Sequence, residues 1–296
     1  MKNLGNARKI LGMMINKDRM RNKPKVHQFP YLLKSVAKFE MSNCKSVVVL
    51  LAGHFILSKL QCPKKNSEFV QMENIPYANA IGTVMYSMIS TRPDLSYLIS
   101  LLSRYMSNPG KAHWDALKYL LRYINNTLHT GLCYEKRQNA FDLVGFVDSD
   151  FIGDRDSRKS TTAFYFTLGG NCISWKSQLQ PLVALSSTEA EYVAMTDAIK
   201  EAIWIRGILE EINLLQGEVI VCSDSQSAIH LCKNPVYHER TKHVDVKYHF
   251  VKDQVATGAM KIQKVSTKDN PADMGTKCVT AAKLKHCLNL LHVGVH

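Results

Sequence analysis

From about residue 142 onward the pattern of apolar and polar positions changes period several times, and each change marks an element. LVGFVD (143–148) is an apolar run of strand length that ends on an acid, and AFYFTLGGNCISW (163–175) is two such runs around Gly169-Gly170-Asn171, which predicts a hairpin. From about residue 187 apolar side chains recur at Ala194, Ala198, Ala202, Ile205, Ile208, Leu209 and Ile212, the spacing of one face of a long amphipathic helix. A strand EVIVCS, a short helix SQSAIHLC, a helix near 243–256, a strand AMKIQKV and a terminal helix beginning at Pro271 follow. Three antiparallel strands, then helix, strand, helices, strand and helix predict an α/β domain with a mixed five-stranded sheet flanked by helices, in which the ends of the first and fourth strands lie side by side.

Upstream the pattern is different. EKRQNAFD (135–142) is a polar, turn-prone joint, and the chain before it reads as helical. PYANAIGTVMYSMIS and PDLSYLISLLSRYMS each place a proline, Pro76 and Pro93, in a first turn, and KAHWDALKYLLRYINNT puts Trp114, Leu117, Leu121 and Ile124 on one face. Lys111, Lys118 and Arg122 share the other face; a solvated face is the more ordinary reading, contact with a nucleic-acid backbone the alternative. Residues 1–75 are less legible. The expected division is 1–75, 76–138 as a mostly helical segment, and 139–296 as the α/β domain.

Charge narrows the partners. A formal net charge of +13 favours a polyanion, with nucleic acid the leading candidate. The eight cysteines show no C-x-x-C pair and no regular spacing, so reduced thiols in an intracellular compartment are expected rather than a disulfide framework or a zinc site. VVVLLAGHFIL (47–57) is too short and too interrupted to span a bilayer, and no signal peptide opens the chain, so no membrane partner is expected.

Against this positive background four acids stand out: Asp148, Glu191, Asp224 and Asp273. Each lies where an apolar element ends or begins, a place that carboxylates tolerate when something compensates their charge. The usual compensator of convergent carboxylates is a hard divalent cation, magnesium or manganese, and two such ions suggest phosphoryl chemistry. Glu191 falls three residues before Ala194 on the buried face of the long helix, whereas Glu189 with Ser186 forms a capping box, so Glu191 is the ligand candidate and Glu189 the structural one.

GFVDSDFIGDRDSRKSTTAFYFTLGGNCISWKSQLQPLVALSSTEAEYVA, VCSDSQSAIHLCKNPVYHERTKHVDVKYHFV and STKDNPADMGTK resemble the ribonuclease H domain that ends the Pol polyprotein of copia-type LTR retrotransposons, over about residues 141–280. YANAIGTVMYSMISTRPDLSYLISLLSRYMSNPGKAHWDALKYLLRYI resembles the connection between reverse transcriptase and ribonuclease H, and NLGNARKILGM resembles the polymerase tail. The resemblance implies a ribonuclease H-like fold and an endonuclease that cuts the RNA strand of RNA-DNA hybrids during reverse transcription. Asp148, Glu191, Asp224 and Asp273 would be its catalytic set, binding two magnesium ions, with manganese an alternative. Asp150 is then a neighbouring loop acid. The upstream reverse transcriptase of the same polyprotein is an implied partner, and cytoplasmic (virus-like particle) and nuclear locations are both open.

Weaker candidates for gripping phosphate are Arg155, Arg158, Lys159 and Ser160, for which an ordinary charged turn is an equal alternative, and Ser225 and Gln226 at a helix start, where capping by Ser225 is the simpler reading. His238, His243 and His249 beside Asp245 are read as packing or substrate contact rather than metal ligands. Four departures from the family pattern are evident, one of them KSVVVLLAGHFILS, apolar where the family's linker bears proline and is more polar. No histidine lies between Lys264 and Asp273, no separate basic helix lies between Asp224 and His243, and Gly275 replaces a large apolar residue, which implies a cost in helix propensity and packing. A catalytically weak, nucleic-acid-binding remnant is therefore the alternative function. Polymerase and integrase readings fit worse, for want of adjacent palm aspartates and of a His-His-Cys-Cys module.

Overall fold

The computed structural model describes residues 7–18, 23–135, 141–214, 218–233, 250–251, 253–255, 258 and 260–294. They divide into two compact units. One holds the described residues up to Glu135 with Cys278–Leu284 and the residues from His292, and the other those up to Lys277 with Lys285–Leu291.

The first unit combines helices with a sheet. Strands β1 (Lys9–Ile10), β2 (Met13–Asp18), β3 (Lys23–His27), β4 (Gly131–Cys133) and a C-terminal strand Val293–Gly294 follow one another in that order, every neighbouring pair antiparallel. The helices expected over 76–138 are present, while this sheet, built mostly from residues of the less legible stretch 1–75, is one that the sequence leaves unread. Its strands are two to six residues long, and MMINKD and KPKVH carry no alternation for a periodicity argument to detect. β4 pairs with residues 25–27 from far earlier in the chain, a contact that no local pattern announces.

Helices α1 (Phe29–Lys38), α2 (Asn66–Glu73), α3 (Tyr77–Ser90), α4 (Ser96–Ser103) and α5 (Lys111–Asn126) complete the unit. Pro76 caps α3, and Pro93 opens the 3-10 turn that leads into α4, as their fixed φ favours. Leu117, Leu121 and Ile124 of α5 are buried, along with Leu32 and Val36 of α1 and Leu98 and Leu102 of α4. Arg92 and Asp94 are fully buried as a pair 2.7 Å apart, and Tyr123 Oη donates to Asp94 at 2.9 Å, so each charge has the partners that burial demands. On the basic face of α5, Lys111 and Lys118 both pair with Asp115, at 3.3 and 2.8 Å, and Arg122 donates to the Lys45 carbonyl at 2.7 Å. Each of these three basic side chains has a partner within the unit. Residues 47–57 are irregular, with Leu50, Leu51 and Leu57 buried, and among the described residues no helix is long and apolar enough to cross a membrane.

The second unit is the α/β body. Strands β5 (Leu143–Ser149), β6 (Thr161–Leu168), β7 (Asn171–Leu179), β8 (Val219–Ser223) and β9 (Lys261–Lys264) form one sheet in the order β7-β6-β5-β8-β9. β5, β6 and β7 are antiparallel neighbours, while β5–β8 and β8–β9 are parallel. This is the mixed, ribonuclease H-like sheet that the sequence predicts. Gly169 and Gly170, at φ 57° and 83°, make the tight hairpin turn with a left-handed backbone that glycine adopts freely. Leu143, Val147, Phe164 and Phe166 from the sheet pack with Met195, Ala198, Ile199 and Ala202 of helix α6 (Ser187–Glu211) and Ile229 of helix α7 (Gln226–Lys233).

The apolar stripe of α6 is buried through Ala194, Ala198, Ala202, Ile205 and Leu209, but Ile208 and Ile212 are 39% and 54% exposed. A 25-residue helix is about 37 Å long, whereas the seven residues of β5 span about 23 Å, so the helix outruns the sheet beneath it. Of the helix expected near 243–256, residues 250–251 and 253–255 are helical; His238, His243, His249 and Asp245 lie outside the described residues. All eight cysteines are free thiols.

The single terminal helix expected from Pro271 is instead a short helix, Asp273–Thr276, followed after a break by Ala281–Leu290. Lys277 leaves the short helix in an extended conformation. Gly275 is not a packing loss. A Cβ there would stand 2.6 Å from the Ala163 Cβ and 2.9 Å from the Tyr165 ring, so the missing side chain lets the short helix lie against β6. Gly275→Leu, which restores the bulk of the family pattern, is expected to destabilise the protein by about 1–3 kcal/mol through overpacking. A higher urea midpoint for the leucine variant would show that the contact is not limiting.

Candidate functional site

Parallel pairing of β5 with β8 aligns Val147 with Ser223, which places the next residues, Asp148 and Asp224, at adjoining strand ends. Glu191 reaches them from the first turns of α6. One carboxylate oxygen from each of Asp148, Glu191 and Asp224 lies within 4.8 Å of the others. Two ligand oxygens on one magnesium ion are separated by up to about 4.2 Å, so the three acids stand near the span of a single hard cation.

The surroundings explain what this costs. Burial, followed by the negative fields of Asp148 and Asp224, pushes the Glu191 carboxyl up to about 9, outweighing a hydrogen bond from the Ser149 backbone and the field of Lys277. Glu191 Oε2 is buried with no hydrogen-bond partner. Burial also raises Asp148, against the opposing pull of Lys277 and Thr276 and with the added push of Asp273 and Asp224. An orphaned buried carboxylate oxygen facing two other acids is the donor set that a magnesium or manganese ion satisfies, so these residues fit the metal.

Asp273 is not part of the three-oxygen group. It begins the short helix, its carboxylate is buried, and Lys277 Nζ lies 2.7 Å from its Oδ1 and 3.7 Å from Asp148 Oδ2. Thr276 Oγ1 donates to Asp148 Oδ2. Asp273 thus neighbours Asp148 through a lysine. Partial burial works against the Lys277 ammonium, but Asp148, Asp273 and Asp224 hold its pKa above the ordinary lysine value. Sequence reasoning misses Lys277; the signal was its spacing four residues after Asp273, which brings a lysine back over an acid one helical turn earlier.

Glu189 occupies the cap of α6. Its backbone N–H donates to Ser186 Oγ at 3.2 Å, and its own carboxylate accepts from the Leu185 N–H at 2.9 Å. Asp150 is turned into its own loop, accepting from the Thr161 N–H. In the same loop Ser160 is buried and its Oγ accepts from the Ile152 N–H at 3.1 Å, while Asp154 anchors Ser157 and the Arg158 N–H. Arg155 and Arg158 are exposed and Lys159 is half-buried. Ser225 Oγ accepts from the Ala228 N–H at 3.3 Å, capping α7, and Gln226 is exposed at its first position.

The strand order and the acids gathered where its parallel strands end define a ribonuclease H-like domain. Across its whole length the chain is 46% identical to the retrovirus-related Pol polyprotein from transposon TNT 1-94 of Nicotiana tabacum, and it spans 22% of that protein. It is 42% identical, over 68% of its length, to the retrovirus-related Pol polyprotein from transposon RE2 of Arabidopsis thaliana, of which it spans 14%. The chain belongs to the Pol polyproteins of copia-type LTR retrotransposons. No family model matches it. Among solved structures, an N-terminal RNase H domain from Mycobacterium tuberculosis aligns with 51% of this chain and 98% of its own, at 13% identity and a TM-score of 0.34. The fold assignment stands on the strand ladder itself.

Proposed function

We propose that this chain is a metal-dependent endonuclease that cleaves the RNA strand of RNA-DNA hybrids during retrotransposon reverse transcription, working beside the reverse transcriptase of its polyprotein. The observation that carries this reading is the convergence of Asp148, Glu191 and Asp224, with an unpartnered Glu191 oxygen among them. These three would hold a divalent ion, magnesium or manganese, which when bound would activate water and stabilise charge on the phosphodiester. Asp148 and Asp224 fix the cluster to the rigid ends of β5 and β8, and Glu191 brings to it a carboxyl that must give up its proton before it can ligate. Thr276 orients Asp148 by donating to one of its oxygens. The net charge of +13 favours the approach of a polyanion to this locally acidic site, and recognition through 2′-hydroxyls and groove shape suits a substrate of any base sequence.

Asp148→Asn and Asp224→Asn are the direct test. With a labelled RNA-DNA hybrid, duplex DNA and duplex RNA as parallel substrates, the wild type is expected to cut only the RNA of the hybrid. Both variants should bind the hybrid and leave it intact. Hybrid cutting at the wild-type rate by either variant would remove the assignment, and binding without cutting by the wild type would mark an inert remnant.

A further inference from the structure

The C-terminal half of α6 presents a face that the core of its own unit does not use. Trp204 is 63% exposed, Ile208 is exposed beside it, and Lys200 and Glu211 are exposed along the same side of the helix. Gly207 lies among them in the interior of a 25-residue helix, where glycine costs helix stability. Nothing within the unit requires that glycine. Its backbone is not left-handed, and apart from its own helix no atom of the described residues stands within 4 Å of where a Cβ would be. Gly275 is the contrast, since Ala163 and Tyr165 occupy the space that its side chain would take. A large aromatic side chain left in water and an open notch three residues further on are the two halves of a packing contact, and a straight helix cannot fold one onto the other.

Lys200, Trp204, Gly207 and Glu211 follow one another at intervals of four, three and four residues, the seam of a helix that pairs with another. When two copies of this seam run antiparallel about a two-fold axis midway between Trp204 and Gly207, Lys200 faces the partner's Glu211 and Trp204 faces the partner's Gly207. Opposite charges meet and the indole fills the notch, each contact occurring twice by symmetry. Parallel pairing would set Lys200 on Lys200 and Glu211 on Glu211, so the charges select the antiparallel direction. We propose that this face is a self-association surface, on which a second copy of the chain packs its own α6 antiparallel to the first. A seam of four positions makes a small interface, so the dimer is weak and depends on chain concentration. Glu191 lies near the start of α6, which puts the two copies of it at opposite ends of the helix pair, about 43 Å apart along its axis. The dimer therefore leaves both acid clusters uncovered, and the inference does not depend on the nuclease reading.

Sedimentation velocity of the full-length chain, from about 1 to about 300 μM, reads the association directly. The wild type is expected to pass from monomer to dimer as concentration rises. Trp204→Ala and Gly207→Leu should each weaken the dimer by at least about tenfold, the first by removing the indole and the second by filling the notch. Lys200→Glu and Glu211→Lys each set like charges against each other at both ends of the seam, so each should stay monomeric alone. An equimolar mixture of these two variants should dimerise again, and so should the double variant, because only the pairing of 200 with 211 across the two copies restores attraction in both cases. Circular dichroism checks that each variant is folded, and if Trp204→Ala is not, the charge reversals and their mixture decide alone. A wild type that is monomeric throughout overturns the inference and leaves the face to another occupant, the polymerase of the polyprotein among them. A dimer that the charge reversals do not weaken, or that mixing them does not restore, overturns it as well.

Discussion

Glu191→Gln is expected to lose hybrid cleavage by at least about a hundredfold, while Glu189→Gln, two residues away on the same helix, cleaves at close to the wild-type rate. The contrast follows from where each side chain goes. Glu191 lies with Asp148 and Asp224 and has a buried oxygen without a partner, so its charge is useful only to a cation. Glu189 accepts a hydrogen bond from the Leu185 N–H at the start of α6. A glutamine at 189 retains an acceptor for that bond and should cost well under about 1 kcal/mol of stability. A glutamine at 191 removes the cost of holding that carboxyl protonated near neutral pH, so the metal-free variant should melt no lower than the wild type. Equal cleavage by the two variants, or loss of activity confined to Glu189→Gln, would exchange their roles and refute the helical-face assignment.

The metal-free protein should lose stability as pH rises from 6 to 8, and magnesium should remove most of that loss. Glu191 titrates in the ordinary carboxylate range when unfolded but at about 9 when folded, so between those values the folded chain holds a proton that the unfolded chain lacks. Raising the pH through this window favours unfolding, by up to about 1.4 kcal/mol per pH unit for one group. The contribution is fully present below the unfolded value and gone above the folded one. Asp148, also raised, acts in the same direction. Magnesium binds the deprotonated acids of the folded state alone and therefore stabilises more at pH 8 than at pH 6. Urea midpoints in EDTA and in magnesium at the two pH values measure this, with Glu191→Gln as the control whose slope should be reduced. Matching midpoints in EDTA at both pH values would show that Glu191 is not held protonated.

The α/β body is legible in the sequence because its information is local. Strand-length apolar runs and the hairpin glycines give β5, β6 and β7 directly, and EVIVCS gives β8. The spacing along α6 distinguishes Glu191 from Glu189 before any coordinates are seen, because a helix of known period fixes which side chains share a face. What escapes is set by contacts distant in sequence. The sheet of the first unit joins strands of two to six residues, with β3 beside β4 and β4 beside the strand Val293–Gly294, and such short strands leave no periodic trace. Gly275 looks like a defect when only helix propensity is weighed, and becomes a fitted residue once Ala163 and Tyr165 are seen beneath it. Asp273 shares a motif with the other acids in sequence, but its oxygen is engaged by Lys277, a pairing that depends on where the short helix stops.

The central claim is that these acids serve a metal that cuts RNA, and the wild-type protein can answer it in one assay. A hybrid with its RNA strand end-labelled, incubated with the full-length chain in magnesium and in parallel with EDTA, should give a ladder of shortened RNA in the first and uncut RNA in the second, restored when magnesium is returned in excess. Intact RNA under both conditions and in manganese, with the hybrid demonstrably bound, would contradict it; so would cleavage that EDTA does not change.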